Sequence, residues 1–131
     1  MNNLPAKDVV LSFFKDWETG FTAAFERWIH PEGTWQNTGL PDQVGKDAIL
    51  AWLAKYNDIM EMPYGRVEML SLACDGDNKV LTERIDHLWN DDDKRHSAKI
   101  MGTFEIQDGL IIRYSDYFDA SQFNAEAFLG Q

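Results

Sequence analysis

The spacing of apolar residues changes once along this chain, and the change constrains the fold more than any other feature of the sequence. Up to about residue 56, apolar residues recur every three or four positions, as they do on one face of an α-helix. From residue 67 onwards they form short runs typical of β-strands, separated by turn-forming residues. Helices followed by strands predict an α+β domain whose sheet wraps around a helix and leaves a pocket open at one end.

The helical segment predicts three helices, at residues 6–17, 21–28 and 46–56. A short strand is expected at 33–37, and a loop at 39–45 that contains Pro41 and two glycines. The second segment predicts four strands, at 67–74, 80–88, 98–106 and 110–118, and a short final helix at 121–128. We therefore expect a cone-shaped α+β fold with a curved sheet, mixed but mostly antiparallel, around the N-terminal helices.

The length and composition favour a single domain over residues 1–131. The chain has 131 residues, of which 44% are hydrophobic, and this is enough for one buried core. No internal repeat, linker or low-complexity segment divides the sequence.

The charge of the chain excludes two classes of partner. Asp and Glu outnumber Lys and Arg by 22 to 12, and the resulting net charge of −10 repels nucleic acid and anionic membrane surfaces.

No export signal or long uncharged apolar run is present, and the single cysteine, Cys74, has no partner for a disulfide. These features favour the cytoplasm. Cys74 and Trp17 are expected in the core, and no motif for a metal or cofactor is found.

Alternation along two predicted strands brings polar residues to one face. On strand 80–88, Arg84 and Asp86 share a face with Thr82 and Leu88. On strand 110–118, one face holds Asp116 among apolar and aromatic residues, which we interpret as a pocket wall; these are Leu110, Ile112, Tyr114 and Phe118. A carboxylate in such a setting is costly unless it is paired or protonated, which makes Asp116 a functional candidate.

Arg84, Asp86 and Asp116 could form an acid–base site. If all three face one cavity, the planar guanidinium can engage both carboxylates. One carboxylate then stays ionised, while desolvation and the like charge beside it keep the other protonated near neutral pH. The alternative is that Arg84 and Asp86 form an exposed ion pair, since such pairs on surface strands usually mean little.

Three segments of the chain resemble the limonene epoxide hydrolase family, which belongs to the nuclear transport factor 2-like (NTF2-like), SnoaL-like superfamily. They are Leu-Thr-Glu-Arg-Ile-Asp at 81–86, Ile-Met-Gly-Thr-Phe-Glu at 100–105 and Asp-Tyr-Phe-Asp at 116–119. The resemblance implies a cofactor-free reaction in which Asp116 is the general base on water, Asp86 the general acid, and Arg84 orients both. It also implies a homodimer that pairs through the sheet.

The family positions its water with a tyrosine and an asparagine two residues apart, and here Trp35 and Asn37 occupy those positions. Asn37 matches the pattern, whereas the indole of Trp35 can only donate a hydrogen bond. The resemblance implies a hydrolase that opens an epoxide to a vicinal diol, and we expect an apolar cyclic or aryl substrate. From the alternation along the two strands, we expect its pocket to be lined by Leu88, Tyr114, Phe118 and Ile112.

Two other functions fit the same residues. Asp116 could abstract a proton next to a carbonyl, as in a ketosteroid isomerase or polyketide cyclase, and Trp35 in the water-binding position favours that chemistry. The chain could also be a ligand-binding module without enzymatic activity, because a fold does not determine a function.

Overall fold

The computed structural model describes residues 4–122, and these form three α-helices, six β-strands and one turn of 3₁₀-helix. In chain order they are α1 (Ala6–Asp16), α2 (Phe21–Trp28), β1 (Ile29–Asn37), β2 (Gln43–Val44), α3 (Lys46–Met60), β3 (Tyr64–Asp75), β4 (Lys79–Trp89), β5 (Arg95–Gln107), β6 (Leu110–Tyr117) and the 3₁₀ turn Ala120–Gln122. Most of the helix predicted at 121–128 lies outside the described residues. No described helix is long and apolar enough to cross a membrane.

The helices follow the predicted apolar spacing. In α1, the side chains that recur every three or four positions are all buried; they are Val9, Val10, Phe13 and Phe14. α3 continues four residues beyond the predicted end, because Met60 extends the face that packs against the core. It ends at Glu61, whose left-handed conformation, with φ of 55°, cannot continue a helix.

The six strands form one curved, unclosed sheet in the order β2-β1-β6-β5-β4-β3. Among the described strands, β1 and β6 pair in parallel and all other neighbours are antiparallel, which confirms the mixed, mostly antiparallel sheet. Most strands are longer than predicted, and β2 lies within the predicted loop. The core forms where α1 and α2 pack against the inner face of the sheet.

A β-bulge in β6 corrects one predicted pocket residue. Glu105 pairs with Arg113 and Ile106 pairs with Ile111, so Ile112 is the extra residue on its strand. The bulge shifts the alternation by one position, and Ile111 rather than Ile112 is buried in the core. The prediction that Ile112 faces the pocket is therefore wrong.

Two further expectations concerned the core. Trp17 is buried in it, as expected. Cys74 is exposed near the end of β3, where the side chains stand outside the core, so its assignment to the core is wrong.

Candidate active site

A cavity lies between the helices and the inner face of the sheet, and aromatic side chains dominate its wall. The aromatic residues from α1 to α3 that line it are Trp17, Phe21, Phe25, Trp35, Trp52 and Tyr56. Asn37, Asp86 and Asp116 supply polar groups to the same cavity. An apolar cavity with a few convergent polar groups is the usual form of a small-molecule site.

Strand alternation brings Arg84 and Asp86 to the same face of β4, as the sequence predicts, and the structure shows that this face is buried. Arg84 is bidentate to Asp86: Nε lies 2.9 Å from Oδ1, and Nη2 lies 3.1 Å from Oδ2. The same Nη2 donates to Oδ2 of Asp116 at 2.6 Å. The guanidinium is completely buried, and the side chains of Asp86 and Asp116 are 8% and 6% exposed. The reading of Arg84 and Asp86 as a surface ion pair is therefore wrong.

Neutral groups hold Arg84 in this position. Its Nη1 donates to Oγ1 of Thr82 at 3.1 Å, and that hydroxyl donates to the carbonyl of Gly102. The ring of Phe14 stacks against the guanidinium, 4.7 Å from its Cζ atom. Burial acts to lower the pKa of Arg84, but the charges of the neighbouring carboxylates outweigh it and raise the pKa, so the guanidinium stays charged.

Gly102 lies where the arginine crosses to Asp116. β5 separates β4 from β6, and Gly102 pairs with Thr82 on one side and Asp116 on the other. A Cβ atom at this position would lie 2.3 Å from Nη1 of Arg84 and 2.6 Å from Oδ1 of Asp116. The ion pair across β5 therefore requires glycine in the strand between its partners.

The two carboxylates have different surroundings. Burial and the negative charge of Asp116 raise the pKa of Asp86 to about 6, although Arg84 acts in the opposite direction. Asp86 uses both oxygens to bind Arg84, whereas Oδ1 of Asp116 is buried and has no hydrogen-bond partner among residues 4–122. Asp86 is thus suited to carry a proton near neutral pH, and Asp116 keeps one oxygen to which no donor among residues 4–122 is bound.

Two phenols beside the carboxylates stay protonated. Burial and the charge of Asp116 raise the pKa of Tyr114 well above its usual value. Burial and the charges of Asp86 and Asp116 also raise the pKa of Tyr56. Both hydroxyl groups can therefore donate hydrogen bonds over the whole neutral range.

The parallel pairing of β1 with β6 brings the early segment of the chain to this cluster. Asn37 is in register with Asp116, and Trp35 is in register with Tyr114. The rings of Trp35 and Tyr114 stack with centroids 5.8 Å apart and 18° between their planes. Nε1 of Trp35 is buried and has no hydrogen-bond partner in the described part of the chain.

The structure brings most of the predicted residues to one cavity. Asp86, Asp116 and Asn37 line it together with Leu88, Tyr114 and Phe118, while Ile112 does not. Tyr56 also lines the cavity, and the sequence does not identify it, because the apolar spacing of α3 shows only which side of the helix is apolar.

His96 lies before the strand predicted at 98–106, but in the structure it is part of β5 and lines the cavity. The alternation of a β-strand could have predicted this position, because it places His96, Ala98 and Ile100 on one face. All three line the cavity. Within residues 4–122, no cluster of three His, Cys, Asp or Glu side chains is arranged to hold a metal ion.

Comparison with solved structures identifies the fold. An LEH-like epoxide hydrolase from M. tuberculosis superposes with a TM-score of 0.74 at 22% identity, over 95% of this chain and 90% of that one. A protein named as a SnoaL-like polyketide cyclase from Jannaschia sp. CCS1 gives 0.73 at 13% identity, over 100% and 99% of the two chains. A protein with a ketosteroid isomerase-like fold from Catenulispora acidiphila, solved with trimethylamine, gives 0.72 at 16%, over 91% of each chain.

Likeness at these identities establishes the fold alone, which is the NTF2-like cone predicted from the sequence. The three structures carry different activities or none stated, so they do not select one reaction. A family model adds a match at the level of sequence: the SnoaL-like domain aligns with residues 10–114, which is most of the chain. The chain therefore belongs to the SnoaL-like domain family.

Proposed function

We propose that this protein is a cofactor-independent epoxide hydrolase. The observation that carries the proposal is the unequal pair of carboxylates on one buried guanidinium, Asp86 and Asp116 on Arg84. An epoxide needs a proton on its oxygen and a nucleophile at its carbon in the same step, and such a pair supplies both an acid and a base. The fold shared with an LEH-like epoxide hydrolase supports the same assignment.

In the proposed reaction, Asp116 accepts a proton from water while the water oxygen attacks one epoxide carbon. The ring carbon–oxygen bond breaks, and its oxygen takes the proton of Asp86, which gives a vicinal diol. The proton gained by Asp116 then returns to Asp86, since both carboxyls share one nitrogen of Arg84. Each positioned proton transfer contributes roughly a hundred- to ten-thousand-fold to the rate.

Asn37 and Trp35 are proposed to hold the attacking water. The indole can only donate, so it would bind a lone pair of the water oxygen and leave both water hydrogens for Asp116 and the Asn37 carbonyl oxygen. The aromatic wall of the cavity favours an apolar cyclic or aryl epoxide as the substrate.

Proton abstraction next to a carbonyl is the second candidate, and Trp35 favours it. Its N–H lacks a partner among the described residues and could bind a carbonyl or enolate oxygen, with Asp116 as the base on carbon. The shared fold with a protein named as a polyketide cyclase is compatible with this chemistry.

Oxygen-labelled water separates the two candidates. We expect styrene oxide and cyclohexene oxide to give a diol with one labelled oxygen, and the rate to fall at least a hundredfold in Asp116→Asn. Asp77→Asn, a matched change in the exposed turn before β4, should react like the native protein. If Asp116→Asn still forms the diol at the native rate, Asp116 is not the general base. No diol, together with deuterium exchange next to the carbonyl of a cyclic ketone, would support the second candidate.

We further propose that the protein is a homodimer that pairs through the outer face of its sheet. Three apolar side chains on neighbouring strands are 41–55% exposed there: Leu81, Met101 and Tyr117. Met101 pairs with Tyr117, so they form a continuous apolar strip across β5 and β6.

We also still expect a cytoplasmic location, because the single thiol, Cys74, is exposed and has no partner in the sequence.

A further inference from the structure

His96 is a polar residue of the cavity wall that the proposed reaction does not use. It lies near the start of β5, where alternation places it on the same face as Ala98 and Ile100. Its side chain is partly buried. Among residues 4–122, the imidazole has no hydrogen bond, ion pair or ring contact, so both ring nitrogens are available to a ligand.

The register of β4 and β5 determines how far His96 lies from the acid–base site. Asp86 pairs with Ala98 and Leu88 pairs with His96, so His96 is the diagonal neighbour of Asp86 on the inner face. Diagonal neighbours across an antiparallel pair lie about 7 Å apart. Ala98, directly opposite Asp86, has only a methyl group, and all three residues line the same cavity. One small molecule can therefore contact both the carboxylate and the imidazole.

Charge and hydrogen-bonding capacity indicate which chemical group fits His96. Asp119 lines the same cavity and the chain has a net charge of −10, so an anionic group on a ligand is repelled. The carboxylate of Asp119 already accepts hydrogen bonds from N and Oγ of Ser121, at 3.0 and 2.6 Å. A neutral imidazole donates at one ring nitrogen and accepts at the other, and a hydroxyl group can do both. A hydroxyl group therefore fits whichever nitrogen faces it.

We propose that His96 is a specificity-determining residue that binds a hydroxyl group of the substrate, about 7 Å from the reacting group at Asp86. This inference rests on the proposed function, which places the epoxide between Asp86 and Asp116. The aromatic wall of the cavity holds the hydrocarbon part of the substrate between its two polar ends. The substrate class narrows accordingly to cyclic or aryl epoxides that carry a hydroxyl group on the far side of the ring.

Two unreactive ligands test this role without relying on turnover. 1,4-Benzenedimethanol carries a hydroxymethyl group at each end of its ring, and 4-ethylbenzyl alcohol has an ethyl group of similar size in place of one of them. Equilibrium dialysis measures both affinities, and their ratio, dimethanol over ethyl compound, reports on the second hydroxyl group. We expect His96→Leu to lower this ratio about five- to tenfold, because that hydroxyl group loses its partner. His96→Gln keeps a donor and an acceptor and should retain most of the native ratio.

His87→Leu is the matched control, because His87 lies on the other face of β4, where its ring binds Glu68 and Ser97. Its affinity ratio should equal that of the native protein. Both ligands are measured on the same variant, so a loss of folded protein changes the two affinities equally. An unchanged ratio in His96→Leu, or equal losses in His96→Gln and His96→Leu, would overturn the inference.

The inference and the proposed hydrolase can fail separately. If His96→Leu lowers the ratio but epoxides give no labelled diol, the hydrolase proposal fails and the hydroxyl-binding role of His96 stands. If labelled diol forms and depends on Asp116 while the ratio is unchanged in His96→Leu, the hydrolase stands and the role of His96 is wrong.

Discussion

Arg84 reaches Asp116 across the strand that separates them, and its Nη2 lies 2.6 Å from Oδ2 of the carboxylate. The crossing is possible because the intervening residue of β5, Gly102, has no side chain. An ion pair that skips a strand in this way depends on three strands at once. Each strand can therefore be tested by a substitution that leaves the other two unchanged.

Substitution of Gly102 by alanine should separate the ion pair. The added methyl would lie within 2.6 Å of both partners, so Arg84 or Asp116 must move. We expect a loss of at least a hundredfold in kcat/KM and a decrease of about 3 kcal/mol in the free energy of unfolding. Urea denaturation and steady-state kinetics measure the two effects. Thr103→Ala, on the other face of the same strand, should change neither by much; equal losses in both variants would contradict the explanation.

Replacement of Arg84 by methionine should leave two buried carboxylates without a counter-charge. Removal of one partner from a buried ion pair costs about 3–5 kcal/mol. Arg27→Met is the comparison, because Arg27 is 67% exposed and its ion pair with Asp16 should contribute less than about 1 kcal/mol. If denaturation finds similar losses for the two variants, the buried cluster does not depend on Arg84.

The raised pKa of Asp86 predicts how stability depends on pH. The folded pKa of about 6 lies above the usual value of 3.8, so between these values the folded protein holds a proton that the unfolded chain has released. The free energy of unfolding should therefore fall as pH rises from 4 to 6, by up to about 3 kcal/mol. Denaturation curves at pH 4, 5, 6 and 7 measure this change. Asp86→Asn should remove the part of this pH dependence that Asp86 contributes. If the variant has the same pH dependence as the native protein, the pKa of Asp86 is not its cause.

A charge on the outer face of the sheet should prevent the proposed dimerisation. Met101 is 55% exposed at the centre of the apolar strip, and each chain already carries a net charge of −10. In sedimentation equilibrium, Met101→Glu should have the mass of a single chain, and Met101→Leu should retain the mass of the pair. A native protein that sediments as a single chain would contradict the dimer itself.

One feature of β4 could be predicted from the sequence, because alternation decides which side chains share a face. Thr82, Arg84, Asp86 and Leu88 share one face, as predicted, and the structure shows that this face is buried. Alternation does not decide which face of a strand lies inwards, so the sequence left a shared cavity and an exposed ion pair as alternatives for Arg84 and Asp86.

Other parts could not be predicted, because they depend on contacts between elements. The bulge at Ile112 breaks the alternation and is visible only in the pairing of β5 with β6. The spacing of α3 shows which side of the helix is apolar, but it cannot show that Tyr56 lies beside a cavity. The requirement for Gly102 appears only when the partners on both neighbouring strands are known.

The parallel pairing of β1 with β6 affects how the protein matures during synthesis. Asn37 and Asp116 lie side by side in the sheet, yet most of the chain separates them in sequence. A ribosome releases Asn37 long before the strand that must pair with β1, so the N-terminal helices and β1 wait with apolar surface uncovered. Closure of such a long-range pairing is slow compared with local contacts. The site therefore cannot be complete before β6 is made, because a nascent chain interrupted before residue 110 would contain Arg84 and Asp86 but not Asp116.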